Sequence, residues 1–132
     1  MTDLQHVVHP AGVAPGTGYS HVVSGRGRLV AISGQVALDE DGELVGADDP
    51  AAQATQVFAN IGRCLAAADA TFADVVKLTF FLTDRAQLPA VRAARDAVID
   101  VERPPASSAV IVAGLVRPEF LLEIEAYALV AD

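Results

Sequence analysis

The chain has 132 residues, 52% hydrophobic and 20% charged, which is enough apolar material for one compact core over residues 1–132 and excludes disorder. A formal net charge of −8 offers no basic patch to phosphates and argues against a nucleic-acid partner. The single cysteine, Cys64, excludes an intrachain disulfide and any CxxC zinc spacing. With neither a secretory leader nor a membrane-length apolar run in view, the expectation is a soluble cytoplasmic protein without a membrane partner.

In chain order, His6 to His9 reads as a short edge strand ended by Pro10, and Ala11 to Gly18 as a glycine-rich loop. Tyr19 to Ser24 and Leu29 to Ala37 read as two strands joined by a turn at Gly25 to Arg28, a β-hairpin. Within the second strand, Ile32-Ser33-Gly34-Gln35 is interrupted by small residues. A glycine there marks either a twist adjustment or a close approach of backbone to a ligand. Leu38 to Asp49 carries six acids and no base. Its spacing does not match a calcium loop, so it reads as a solvated loop.

Asp49-Pro50 has the form of a helix start, a capping carboxylate followed by a proline at the first helical position. Ala54, Val57, Phe58, Ile61, Leu65 and Ala68 then recur at spacings of three and four, the stripe of a helix packed on a sheet. Cys64 lies beside that stripe and reads as a small buried hydrophobe. Val75 to Thr83 is a strand with Val76, Leu78, Phe80 and Leu82 on one face and Lys77, Thr79, Phe81 and Thr83 on the other. Asp84 caps a second helix, expected over Gln87 to Asp100, with Leu88, Val91, Ala94, Arg95 and Val98 on one side.

From Arg103 onward two strands are expected, joined by a turn. In the last one, Leu122, Ile124, Ala126, Ala128 and Val130 form a wholly apolar face. Glu123, Glu125 and Tyr127 stand among apolar neighbours on the other. The order β-β-α-β-α-β-β, with right-handed crossovers and a terminal hairpin, predicts a two-layer α+β fold: a mixed sheet with both helices on one face. The opposite face, with Phe81, Leu121, Tyr127 and Leu129, is too apolar to stay in water, which predicts a homo-oligomer.

Chemistry is harder to read. Nucleophile elbows, P-loops and dinucleotide fingerprints are absent. His6, His9 and His21 read as surface or packed histidines. Glu123 is either a general acid/base near an apolar interface or a partner of Lys77, Arg26 or Arg28. For Glu125 the pairing is favoured.

Several segments in order resemble the RidA/YjgF family of reactive-intermediate deaminases, also known as the endoribonuclease L-PSP family. They are Gly18-Tyr19-Ser20, Val30 to Gln35, Ala52-Gln53-Ala54, Asp74 to Thr79, Leu82-Thr83-Asp84, Pro105-Ala106-Ser107-Ser108 and Leu122 to Ala126. The resemblance implies a chorismate mutase-like homotrimer with a pocket between subunits. It implies cofactor- and metal-free hydrolysis of enamines and imines such as 2-aminoacrylate to a keto acid and ammonia. Glu123 would be the acid acting on water. Tyr19, Ser33, Gly34, Ser107, Ser108 and Ala109 would shape the substrate site. The family's Pro-Ala-Arg is here Pro105-Ala106-Ser107, and serine cannot reproduce the bidentate fork that holds a carboxylate. A helix position that is often aromatic in the family carries Arg95. The expectation is therefore a divergent deaminase for a substrate without an α-carboxylate, with Arg103 or Arg117 as possible replacements for the lost guanidinium. The alternative is a non-catalytic small-metabolite binder or regulatory trimer.

Overall fold

In the computed structural model, residues 3–131 are described. They form β1 (Gln5–Val7), β2 (Val22–Ser24), β3 (Arg28–Gln35), α1 (Pro50–Ala67), β4 (Val75–Leu82), α2 (Leu88–Asp96), β5 (Ala106–Ile111) and β6 (Leu122–Val130). The main sheet has the order β3-β6-β4-β5. Strand β6 runs antiparallel to both β3 and β4, and β5 runs parallel to β4. This is the expected α+β architecture with a mixed sheet. The helices pack on each other and on one sheet face, around a core of Val57, Phe58, Ile61 and Leu65 from α1, Val91 from α2 and the inward residues of β3, β4 and β6.

The alternation that marked β6 is what seats it centrally. Leu122, Ile124, Ala126 and Ala128 are fully buried under the helices. Helix α1 begins as its sequence requires, with the Asp49 side chain accepting from the Ala52 N–H at 3.1 Å and Pro50 in the first turn. It ends in a Schellman arrangement. The Ala70 N–H donates to the Leu65 carbonyl and the Asp69 N–H to that of Ala66, with Asp69 at φ 55°. That left-handed position favours glycine. Replacing Asp69 by glycine is expected to raise stability by about 1 kcal/mol, read as a higher midpoint in urea with unchanged slope.

Five expectations are corrected. Strands β2 and β3 do not form a hairpin: β2 pairs with β1 in a separate two-stranded sheet, and β3 pairs with β6. Gly27, at φ 145°, packs so closely on the Val130 carbonyl that it redirects the chain beside β6 instead of turning it back. The strand expected from Tyr19 starts only at Val22, because Ser20 is drawn instead into a parallel bridge with Ala106. No terminal hairpin forms either. The α2 crossover makes β5 the parallel neighbour of β4, and the long segment 112–121 carries the chain to the far side of β4. Helix α2 is shorter than expected. Residues 85–87 form a 3-10 turn capped by Asp84, and the helix stops at Asp96. Finally, a bulge between Val75 and Lys77 turns Val75 into the core in place of Val76.

Candidate functional site

Two features converge on the start of β5. The Ser20 hydroxyl donates to the Pro104 carbonyl at 2.6 Å, and the Ser20 N–H donates to that of Pro105 at 3.1 Å. These bonds pin the loop before β2 against β5 and carry Thr17 and Tyr19 with it. The Tyr19 ring is held edge-on by His21 at 5.2 Å between centroids. From the other side comes α2. Register places Ser107 opposite Leu78 and Ala109 opposite Phe80, so both β5 side chains face the helix layer. Between them lies a pocket of about 200 Å³ with Phe80 and Leu88 on its apolar side and Thr17, Tyr19, Ser107, Ala109, Arg92 and Arg95 around it.

Arg95 is the unusual member. Only 6% of its side chain is exposed, and its Nε donates to the Asp96 carboxylate at 2.9 Å. Gly18, at φ 76°, lets the guanidinium approach the backbone, since a Cβ there would stand 2.8 Å from Arg95 Nη2.

A second locus lies on the opposite, helix-free face of the sheet. The register of β3 against β6 shifts between Ile32 and Gln35, and this irregularity brings Gly34 over Glu123. A Cβ at Gly34 would collide with Glu123 Oε2. Glu123 is half-buried opposite Phe81 and makes no hydrogen bond or ion pair among the described residues. The basic partners weighed for it are otherwise engaged or apart. Lys77 donates to the Ser108 hydroxyl at 2.8 Å and Arg28 to the Ala68 carbonyl.

The sequence-derived site residues thus fall into two groups. Tyr19, Ser107 and Ala109 line the pocket. Gly34 and Glu123 meet on the open face, which Ser108 shares through Lys77, and Ser33 is exposed beside them. Of the arginines considered as replacements, Arg103 donates to the Leu4 carbonyl and borders a different small cavity, while Arg117 pairs with Glu119 over the Phe120 ring. Neither reaches the pocket. Arg92 and Arg95 do, and the sequence carried a signal for them: a charged residue within the inward stripe of α2, three positions after another arginine.

The remaining polar features are structural. Asp39 folds the acidic loop by accepting from the Asp41 and Glu43 N–H groups. His6 and His21 bond the Pro104 and Ala14 carbonyls. Among the described residues, no group of three or more His, Cys, Asp or Glu is placed to hold a metal ion, and no helix is long and apolar enough to cross a membrane.

The family model described as endoribonuclease L-PSP matches residues 10–130. A RutC family protein from Synechocystis is 35% identical over 129 residues, covering 97% of this chain and 95% of that protein. This chain belongs to the RidA/YjgF family. A relative named 3-aminoacrylate deaminase RutC, from Acinetobacter baylyi, is 30% identical over 124 residues, covering 94% of this chain and 97% of its own. A crystal structure of a Rid family protein of unknown function from Yersinia pestis superposes with a TM-score of 0.84 at 38% identity, covering 97% of this chain and 99% of that one. As a RidA/YjgF member, the protein has Ser107 where the resemblance expects the strand arginine, and the guanidinium groups of its pocket come from α2.

Proposed function

We propose that this protein hydrolyses an enamine or imine to a carbonyl compound and ammonia, at a site completed between subunits of a homotrimer. The observation that carries the reading is Glu123: a half-buried carboxylate without a partner among the described residues, packed on Gly34 at a face too apolar to be left in water. Leu29 and Tyr127 are exposed on that face, as is Val110 on β5 at the sheet edge. Within one chain the carboxylate and the Tyr19–Ser107 pocket lie on opposite sides of the sheet. A neighbouring chain laid over the open face would bring its own pocket to Glu123. The relative named as a 3-aminoacrylate deaminase supports the reaction class.

In this reading an enamine first tautomerises to its imine, losing a proton from nitrogen and gaining one at carbon; Glu123 then takes a proton from water, and the hydroxide adds to the imine carbon. The proton passes to nitrogen, and the tetrahedral carbinolamine collapses to the carbonyl with loss of ammonia. The net change is R₂C=NH + H₂O → R₂C=O + NH₃. The small pocket admits a substrate of a few heavy atoms. The net charge of −8 works against an RNA substrate.

Freshly generated 2-aminoacrylate tests the reading. Purified protein should accelerate ammonia release over the spontaneous rate, and light scattering should give a mass three times the 13.7 kDa chain. A trimer that leaves the rate of 2-aminoacrylate and of carboxylate-free imines unchanged, yet is stabilised thermally by a small metabolite, would instead be a binding protein.

A further inference from the structure

We infer that Arg95, assisted by Arg92, holds the carboxylate of the substrate, so that the anion anchor of this pocket stands on α2 and not on β5. This inference rests on the reading of the Tyr19–Ser107 pocket as the substrate site. It reverses the expectation of a carboxylate-free substrate, which depended on Ser107 alone.

Four observations carry it. The Arg95 side chain is 94% buried, a setting in which a guanidinium normally has all its donors paired. Its Nε is occupied by Asp96, but neither terminal nitrogen has a hydrogen-bond partner among the described residues. Among the described residues no fully buried side-chain nitrogen or oxygen lacks a partner, so both terminal nitrogens keep some exposed surface. Arg95 lines the cavity, and the paired donors of a guanidinium match the two oxygens of a carboxylate.

Arg92 lies three residues earlier on α2, lines the same pocket and makes no ion pair among the described residues. Among the described residues no Asp or Glu lines the pocket, although the chain as a whole is strongly acidic. The Ser107 hydroxyl and the Tyr19 ring stand beside the two guanidinium groups. Gly18 is the fourth observation. A side chain at this position would displace Arg95 Nη2, so the loop is shaped around the guanidinium. The ligand class is a small monocarboxylate carrying an amino, imino or oxo group, held by its carboxylate at the α2 side with its C=N carbon directed towards the mouth of the pocket.

The test reads binding, separately from turnover. Pyruvate, the keto acid that hydrolysis of 2-aminoacrylate leaves, and its neutral amide pyruvamide differ in the one group that Arg95 holds. Calorimetric titration of the whole protein should show pyruvate bound at least about tenfold more tightly than pyruvamide. Arg95→Gln should erase that preference by weakening pyruvate alone, and Arg95→Lys should retain part of it. Arg92→Gln, at an exposed position where folding is not at stake, should weaken pyruvate by about three- to tenfold. The double variant Arg95→Gln/Ser107→Arg should restore the preference, because it returns the charge to β5 in the same pocket.

Wild type that binds the two probes equally, or neither, overturns the inference. So does a folded Arg95→Gln that keeps the preference. If Arg95→Gln fails to fold, an unchanged preference in both Arg92→Gln and Arg95→Lys overturns it. Should pyruvate bind through Arg95 while no imine is hydrolysed, the anchor stands and the proposed reaction falls. Hydrolysis indifferent to a carboxylate has the opposite meaning.

Discussion

Replacing Glu123 by glutamine is expected to lower the hydrolysis rate by about 10²–10⁴-fold while leaving the fold intact. Glutamine is nearly isosteric, and Glu123 makes no hydrogen bond or ion pair among the described residues that the change would break. The thermal midpoint should therefore move by only a few degrees, and the trimer mass should persist. Binding of pyruvate should survive as well, because the carboxylate acts on water and does not hold the ligand. A rate still within twofold of wild type would remove Glu123 from the chemistry.

Gly34→Ala provides an independent check on the same group. The backbone at Gly34 is not in a left-handed conformation, so alanine is locally tolerated there, but its Cβ would meet Glu123 Oε2. The carboxylate must swing away, and activity should fall without loss of folding. An active Gly34→Ala would mean that the position of the carboxylate is immaterial.

The largest expected effect on stability comes from Gln53, a polar residue with no exposed surface in the apolar stripe of α1. Its Nε2 donates to the Gly46 and Glu119 carbonyls, both at 3.0 Å, and its Oε1 accepts from the Leu121 N–H at 3.0 Å. One side chain thus ties the acidic loop, α1 and the segment leading into β6 together, holding Leu121 directly before the first residue of β6. Gln53→Leu keeps the volume but leaves the Glu119 carbonyl and the Leu121 N–H without their partner, while the Gly46 carbonyl keeps the Asp49 N–H. At about 1–3 kcal/mol for each unsatisfied group, partly relieved by water, the loss should be about 2–4 kcal/mol. In a domain of this size that lowers the thermal midpoint by roughly 7–15 °C. A calorimetric scan of the variant measures it directly, and a shift under 3 °C would show that the three bonds are dispensable.

The periodic elements were legible because their signals are local. Asp49-Pro50 and the stripe from Ala54 to Leu65 specify α1, and the alternation of Leu122, Ile124, Ala126 and Ala128 specifies β6. Strand pairing was not legible, because it depends on contacts distant in sequence. Gly25 to Arg28 resembles a hairpin turn, yet what decides the pairing is the fit of Gly27 against Val130. The bulge that exchanges Val76 for Val75 in the core likewise arises from register against β6. Of the candidate site residues, Glu123, Gly34, Tyr19, Ser107 and Ala109 were named from sequence, but their division between two sheet faces was not. Ser107 was recognised as a missing arginine. The arginines nearby in sequence, Arg103 and Arg117, are engaged elsewhere, whereas topology brings Arg92 and Arg95 of α2 to the pocket. Arg95 had been placed on the inward side of that helix, and only the path of the Gly18 loop shows that this side opens into a pocket.

If the pocket of one chain and the Glu123 of another form one site, two differently inactivated chains should complement each other when mixed. Glu123→Gln keeps the pocket and lacks the acid. Ala109→Phe fills the pocket and keeps Glu123. Each should be nearly inactive alone. When the two are dissociated together, reassembled and confirmed as mixed trimers by native mass spectrometry, random association regenerates an intact site at about a quarter of the interfaces. Recovery of up to about that fraction of wild-type ammonia release from 2-aminoacrylate is expected. Mixed trimers no more active than either parent would contradict it and confine the chemistry, if any, to a single chain.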